Sequence, residues 1–167
     1  MDPFPDDIFN LADIVLRVAR EDPERVAVID LDGWESYGTR RYNRHTYAEL
    51  SADVESVAVG LREMGIAELT RIVCMSPPSY ETCVMGVALT RGGAFSIWID
   101  PSVGYRNVAE RLSRVQPEAF LGNALAHLGR ITFGWGPRDL RKLVVTESPL
   151  LPGGRIITGF PPFPGAH

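Results

Sequence analysis

Apolar residues at Ile8, Leu11, Ala12, Val15, Val18 and Ala19 recur at helical spacing and predict one amphipathic helix over Ile8 to Arg20, with Asp7 as a candidate cap and Asp22-Pro23 as the stop. The pattern then changes. Val26 to Leu31 (VAVIDL) is a β-branched run, Asp32-Gly33 is a turn signal, and a second strand is expected near Arg40 to Thr46, which together predict a β-hairpin. From Thr46 the helical period returns with Leu50, Val54, Val57, Ala58 and Leu61. Thr46 with Glu49 three residues on has the form of a capping box, and Gly65 ends the segment.

The remainder alternates. Short apolar strands are expected at Arg71 to Met75, Ala94 to Ile99, Ala119 to Leu121 and Leu143 to Thr146. Helices are expected between them at Tyr80 to Arg91, capped by Ser79, at Tyr105 to Val115, stopped by Pro117, and at Ala124 to Phe133. Strand alternating with helix predicts an α/β fold: a partial, doubly wound, mostly parallel sheet with flanking helices, plus the N-terminal hairpin. Ala94 to Ile99 is apolar almost throughout, the mark of a strand covered on both faces. Pro149 to His167 holds five of the 13 prolines and four of the 16 glycines without apolar periodicity. The expected organisation is one domain over 1–148 and an irregular tail over 149–167.

Composition narrows the class. A chain of 167 residues, 45% hydrophobic and 23% charged, suits one ordinary globular core. The net charge of -4 and the scatter of the basic residues speak against a nucleic-acid binder. Arg40, Arg41 and Arg44, and likewise Arg138, Arg141 and Lys142, read as solvated faces. Cys74 and Cys83 lack a second Cys or a His at ligand spacing and read as plain buried thiols. The acidic, proline-bearing start is unlike a signal peptide, and no apolar run approaches the ~18 residues of a membrane span, so a cytoplasmic location is expected.

Two segments resemble early signatures of the adenylate-forming acyl-CoA synthetase superfamily. His45 to Leu50 (HTYAEL) is similar to its first core segment, with His45 in place of leucine. Leu89 to Pro101 (LTRGGAFSIWIDP) is similar to the second: Leu89, Gly92, Ala94, Asp100 and Pro101 hold their places, while Thr90, Arg91 and Trp98 depart from the usual lysine, alanine and proline. Further on, Ile99 to Gly104, Asn107, Gln116 to Gly122 and Ala126 to Leu128 resemble the long-chain acyl-activating branch, specifically the β-lactone synthetases of bacterial olefin biosynthesis. The resemblance covers roughly residues 8–147.

It implies the first subdomain of an AMP-binding ligase fold, and with it ATP and magnesium as cofactors of a complete family enzyme. It also implies a Ser/Thr/Gly-rich phosphate loop and a C-terminal lysine domain, segments this sequence does not contain. No catalytic, cofactor-binding or metal-ligating residue is therefore assigned, and no cofactor is expected on this fragment. Leu151 to Gly154 lacks the lysine of a phosphate cradle, and Gly92-Gly93 reads as a helix stop. His45, His127 and His167 have no nucleophile elbow beside them, and His127 reads as a boundary residue. Asp100 reads as a cap of the next turn rather than a crevice carboxylate, Trp98 as core filling, and Trp135 as the closure of the corner after the last helix.

Three functions follow from these readings. The leading one is an N-terminal ligase fragment that is not catalytic alone. The second is a binding or assembly module pairing with itself or with a separately encoded remainder through exposed apolar surface. The third is a small ligand-binding domain in its own right.

Overall fold

The computed structural model describes residues 10–34, 38–100, 105–135, 140, 142–145 and 155–156. Helix α1 (Leu11–Glu21) opens the described chain and packs on the helices that follow. Its cap is Asn10 rather than the expected Asp7: the Asn10 side chain accepts from the Ala12 amide, and the Asp13 carboxylate accepts from the Asn10 amide. Strands β1 (Val26–Trp34) and β2 (Arg40–Thr46) pair antiparallel as the expected hairpin, with register irregularities between Val26 and Val28 and between Leu31 and Gly33.

Helix α2 (Tyr47–Glu63) begins at the predicted capping box: the Thr46 hydroxyl accepts from the Glu49 amide, and the Glu49 carboxylate accepts from the Thr46 amide at 2.7 Å. Strand β3 (Arg71–Met75) leads to α3 (Tyr80–Arg91), whose cap is Ser79. The Gly92-Gly93 pair is a helix stop. Gly93 takes the left-handed conformation, its amide donates to Thr90 O, and the Ala94 amide donates to Leu89 O.

Strand β4 (Phe95–Trp98), helix α4 (Tyr105–Val115), strand β5 (Ala119–Gly122), helix α5 (Ala124–Phe133) and strand β6 (Lys142–Val145) complete the alternation. The parallel sheet runs β4-β3-β5-β6, and a two-residue strand β7 (Arg155–Ile156) adds parallel to β6. Those two residues are strand where the sequence predicts an irregular tail; the rest of 149–167 lies outside the described residues.

Side-chain alternation along the strands builds two cores. Ile72, Cys74, Ala119, Leu121 and Val144 face α2 and α3, while Val73, Met75 and Phe120 face α4 and Trp135. Helices thus cover both sheet faces, as a doubly wound fold requires.

One strand departs from expectation. β4 is not covered on both faces: among the described residues it is an edge strand of the sheet, with Phe95 60% and Trp98 44% exposed. Trp98 therefore only half fills the core, its ring lying over Gly86. The apolar run recorded side-chain character; where a strand sits in the sheet order is set by partners far away in sequence.

Candidate functional site

The connections leaving β3 and β5, neighbours in the sheet, run to helices on opposite faces. Their carboxyl ends form the topological switch point, where open α/β sheets bind ligands. Met75 and Gly122 pair there, so close that a methyl on Gly122 would stand 3.0 Å from Met75 O.

The polar groups at this end make local bonds. The Ser79 hydroxyl accepts from the Thr82 amide, and the Thr82 hydroxyl donates to Pro77 O at 2.7 Å and lies 3.2 Å from the hydroxyls of Ser76 and Ser79. Asn123 Oδ1 accepts from the Ala126 amide at 2.9 Å. Both helix N-termini at the crevice are thereby capped by side chains of the chain itself.

A second polar cluster lies where the hairpin meets the helices. His45 Nε2 is 3.2 Å from Asp30 Oδ1 across the hairpin. The His45 ring stacks on Tyr80, centroids 3.6 Å apart and planes 8° from parallel. The Tyr80 hydroxyl donates to Asp53 Oδ2 at 2.7 Å. Burial first, and then the hydrogen bond to Asp53, push the Tyr80 phenol well above its ordinary range, so it remains a proton donor.

His127 is not a boundary residue but is 2% exposed, because it lies on the inner face of α5. Its Nε2 is 2.9 Å from Val144 O, which can only accept, so Nε2 carries the proton of a neutral ring. Burial lowers its pKa and Arg130 lowers it further, against the opposing effect of the carbonyl bond. Cys74 is buried as expected, and burial pushes its thiol up to about 12. Cys83 is exposed, contrary to expectation.

Asp100 is exposed after β4, and the turn it would cap, 101–104, lies outside the described residues, as do His167 and Leu151 to Gly154. Arg40, Arg41 and Arg44 are exposed, and Lys142 donates to Gly65 O at 2.6 Å. Arg138 and Arg141 lie outside the described residues.

Nothing in the sequence reading brought Asp30, Asp53 and Tyr80 to His45. The one available signal was an imidazole where the resembling segment has leucine. Among the described residues no group of His, Cys, Asp and Glu side chains is placed to hold a metal ion. A small concavity between α2 and α3, lined by Ala58, Leu61, Ile66 and Ala88, encloses about 20 Å³, the scale of one water. No described helix is long and apolar enough to cross a membrane.

A doubly wound parallel sheet with an antiparallel hairpin ahead of it, and a crevice at the β3/β5 switch point, defines the architectural class. Within that class the chain belongs to the AMP-binding enzyme family, whose sequence pattern matches residues 15–150. An olefin beta-lactone synthetase of Xanthomonas campestris pv. campestris is 36% identical over 151 residues, covering 90% of this chain and 26% of that protein. One of the same name from Stenotrophomonas maltophilia is 33% identical, covering 81% of this chain and 25% of that protein. The chain thus spans about a quarter of the length of the curated relatives it matches.

Among solved structures, a putative long-chain-fatty-acid CoA ligase from Rhodopseudomonas palustris superposes with TM-score 0.70 at 19% identity, covering 89% of this chain and 35% of that one. The luciferase-like enzyme of the mealworm Zophobas morio superposes with TM-score 0.69 at 19% identity, covering 92% and 35%. At these identities the likeness is one of fold.

Proposed function

We propose that these 167 residues are the sheet-building part of an acyl-adenylate-forming ligase, and that by themselves they do not form an acyl adenylate. The observation that carries this reading is that Ser79 and Asn123 are taken up as the caps of α3 and α5, while the Thr82 hydroxyl is bonded to Ser76 and Pro77 O. Adenylation requires donors preorganised toward charge developing on the phosphates, and polar groups bonded to their own helix ends are not aimed that way. The relatives named as olefin beta-lactone synthetases support the formation of a β-lactone by the complete assembly.

Pyrophosphate exchange with ATP, magnesium and a panel of fatty acids tests the proposal. The expected result is exchange at the level of the protein-free control, with no rise in melting midpoint on adding ATP and magnesium. Exchange well above control would overturn it.

One observation favours a second role as an assembly module. The exposed residues of α5 are Leu125, Leu128, Ile131, Thr132 and Phe133, none of them charged, and Leu125 is 74% exposed. A helix face of this kind is the mark of an interface. Size-exclusion chromatography with light scattering should reveal concentration-dependent association, abolished by Leu128→Glu. A monomer at all concentrations would count against self-pairing.

A further inference from the structure

The cluster joining the hairpin to the helices is used by neither functional reading, and its parts come from four elements. Asp30 stands on β1, His45 on β2, Asp53 on α2 and Tyr80 on α3. They form one continuous path: carboxylate to imidazole at 3.2 Å, imidazole stacked on phenol with centroids 3.6 Å apart, phenol to carboxylate at 2.7 Å.

His45 and Asp30 belong to the inward face of the hairpin, with Val28 and Asn43, all of them partly buried. The outward face, Ile29, Leu31, Tyr42 and Arg44, is exposed. At its base the hairpin is joined to the chain around it by backbone bonds from Tyr47 N to Arg25 O and from Ala48 N to Pro23 O. Ala27 and Val28 pack on the core above that base. The stack on Tyr80 is an aromatic contact between the hairpin and α3.

Tyr80 is placed to pass on what happens to the hairpin. It is the first residue of α3, 2% exposed, and directly follows Ser79, which caps that helix. Ser76 to Ser79 is the loop leaving β3 at the switch point, and Thr82, on the first turn of α3, bonds back into it at Pro77 O. A shift of the Tyr80 ring therefore moves the cap and the loop with it. A leucine in place of His45, as in the segment it resembles, could neither stack as a ring nor reach Asp30.

We propose that the His45–Tyr80 stack is a latch that couples the seating of the hairpin to the N-terminus of α3 and the Ser76 to Ser79 loop at the carboxyl end of the sheet. Because the two sides are linked thermodynamically, loosening either loosens the other. The proposal is independent of whether the chain adenylates anything.

Hydrogen exchange on the full chain, read by mass spectrometry, tests it. His45→Leu is expected to speed exchange on the order of tenfold in Arg40 to Thr46 and also in Ser79 to Met85, while Ala124 to Phe133 stays at the wild-type rate. His45→Phe keeps a ring for the stack and should return Ser79 to Met85 towards wild type.

Unchanged exchange in Ser79 to Met85 with His45→Leu, equal behaviour of the two variants there, or an equal rise in Ala124 to Phe133 would each overturn the latch. If His45→Leu does not fold, Tyr80→Leu runs the test in reverse. It takes the ring out of the stack from the α3 side: faster exchange in Arg40 to Thr46 supports the coupling, and no change there overturns it.

Discussion

The six-membered ring of Trp135 lies against the bare backbone of Gly129, where an added methyl would stand 2.7 Å from Cζ3 and 2.8 Å from Cη2. Gly134, left-handed at φ 66, turns the chain at the end of α5 and brings Trp135 back beneath it, 3% exposed. In an open helix Gly129→Ala would stabilise by up to ~1 kcal/mol through backbone entropy. Here the methyl overpacks a buried ring, at a cost of about 1–3 kcal/mol. The expected outcome is a net loss of stability in urea unfolding, largely relieved in the double variant with Trp135→Leu. Additive losses would show that the two residues do not share the space.

His127 makes stability depend on pH with a definite sign. Its folded pKa is depressed, by burial and then by Arg130, so its contribution is complete above the unfolded value of about 6.5 and is lost as pH falls below it. The slope for one proton is at most about 1.4 kcal/mol per pH unit. Urea midpoints taken at pH 7.5 and 5.5 should therefore fall on acidification, and fall less in His127→Gln. A variant that loses stability as steeply as wild type would assign the acid sensitivity elsewhere.

What was legible in the sequence was local. Thr46 with Glu49, Ser79 with α3 and Gly92-Gly93 each complete their bonds within a few residues, and all three were readable from residue type and spacing. The alternation of strands and helices likewise carried the fold class. The edge position of β4, the exposure of Cys83 and the burial of His127 depend on which distant segments lie alongside, and no short window contains that. Asn10 and Asp7 are both good caps by type, and only the start of α1 at Leu11 decides between them. The stack of His45 on Tyr80 joins residues 35 apart and was invisible for the same reason.

The two thiols should separate cleanly by reactivity. Cys74 is buried with its thiol pushed up to about 12, so almost no thiolate is present at pH 8. Cys83 is exposed on α3, but partial enclosure of its sulfur, and then the carboxylates of Asp30 and Glu81, raise its pKa as well. Alkylation at pH 8 followed by mass spectrometry should add one label, slowly, at Cys83, with Cys74 labelled only in denaturant. Rapid labelling of Cys74 in the native protein would show that β3 is not closed beneath its helices.

Gly122 and Gly86 should respond to the same substitution in opposite directions. A methyl on Gly122 would meet Ala126 Cβ at 2.8 Å and Met75 O at 3.0 Å, and the second of these is backbone of the neighbouring strand. Relief requires β5, or α5 behind it, to move away from β3, so Gly122→Ala should destabilise by about 1–3 kcal/mol. A methyl on Gly86 would meet only Trp98 Cζ2 at 3.5 Å, an ordinary contact, and Gly86 lies inside α3, where alanine is worth up to ~1 kcal/mol over glycine. Gly86→Ala should therefore raise the urea midpoint while Gly122→Ala lowers it. Equal stability of the two variants would mean that the close approach of β3 and β5 at the switch point is not what places glycine at 122.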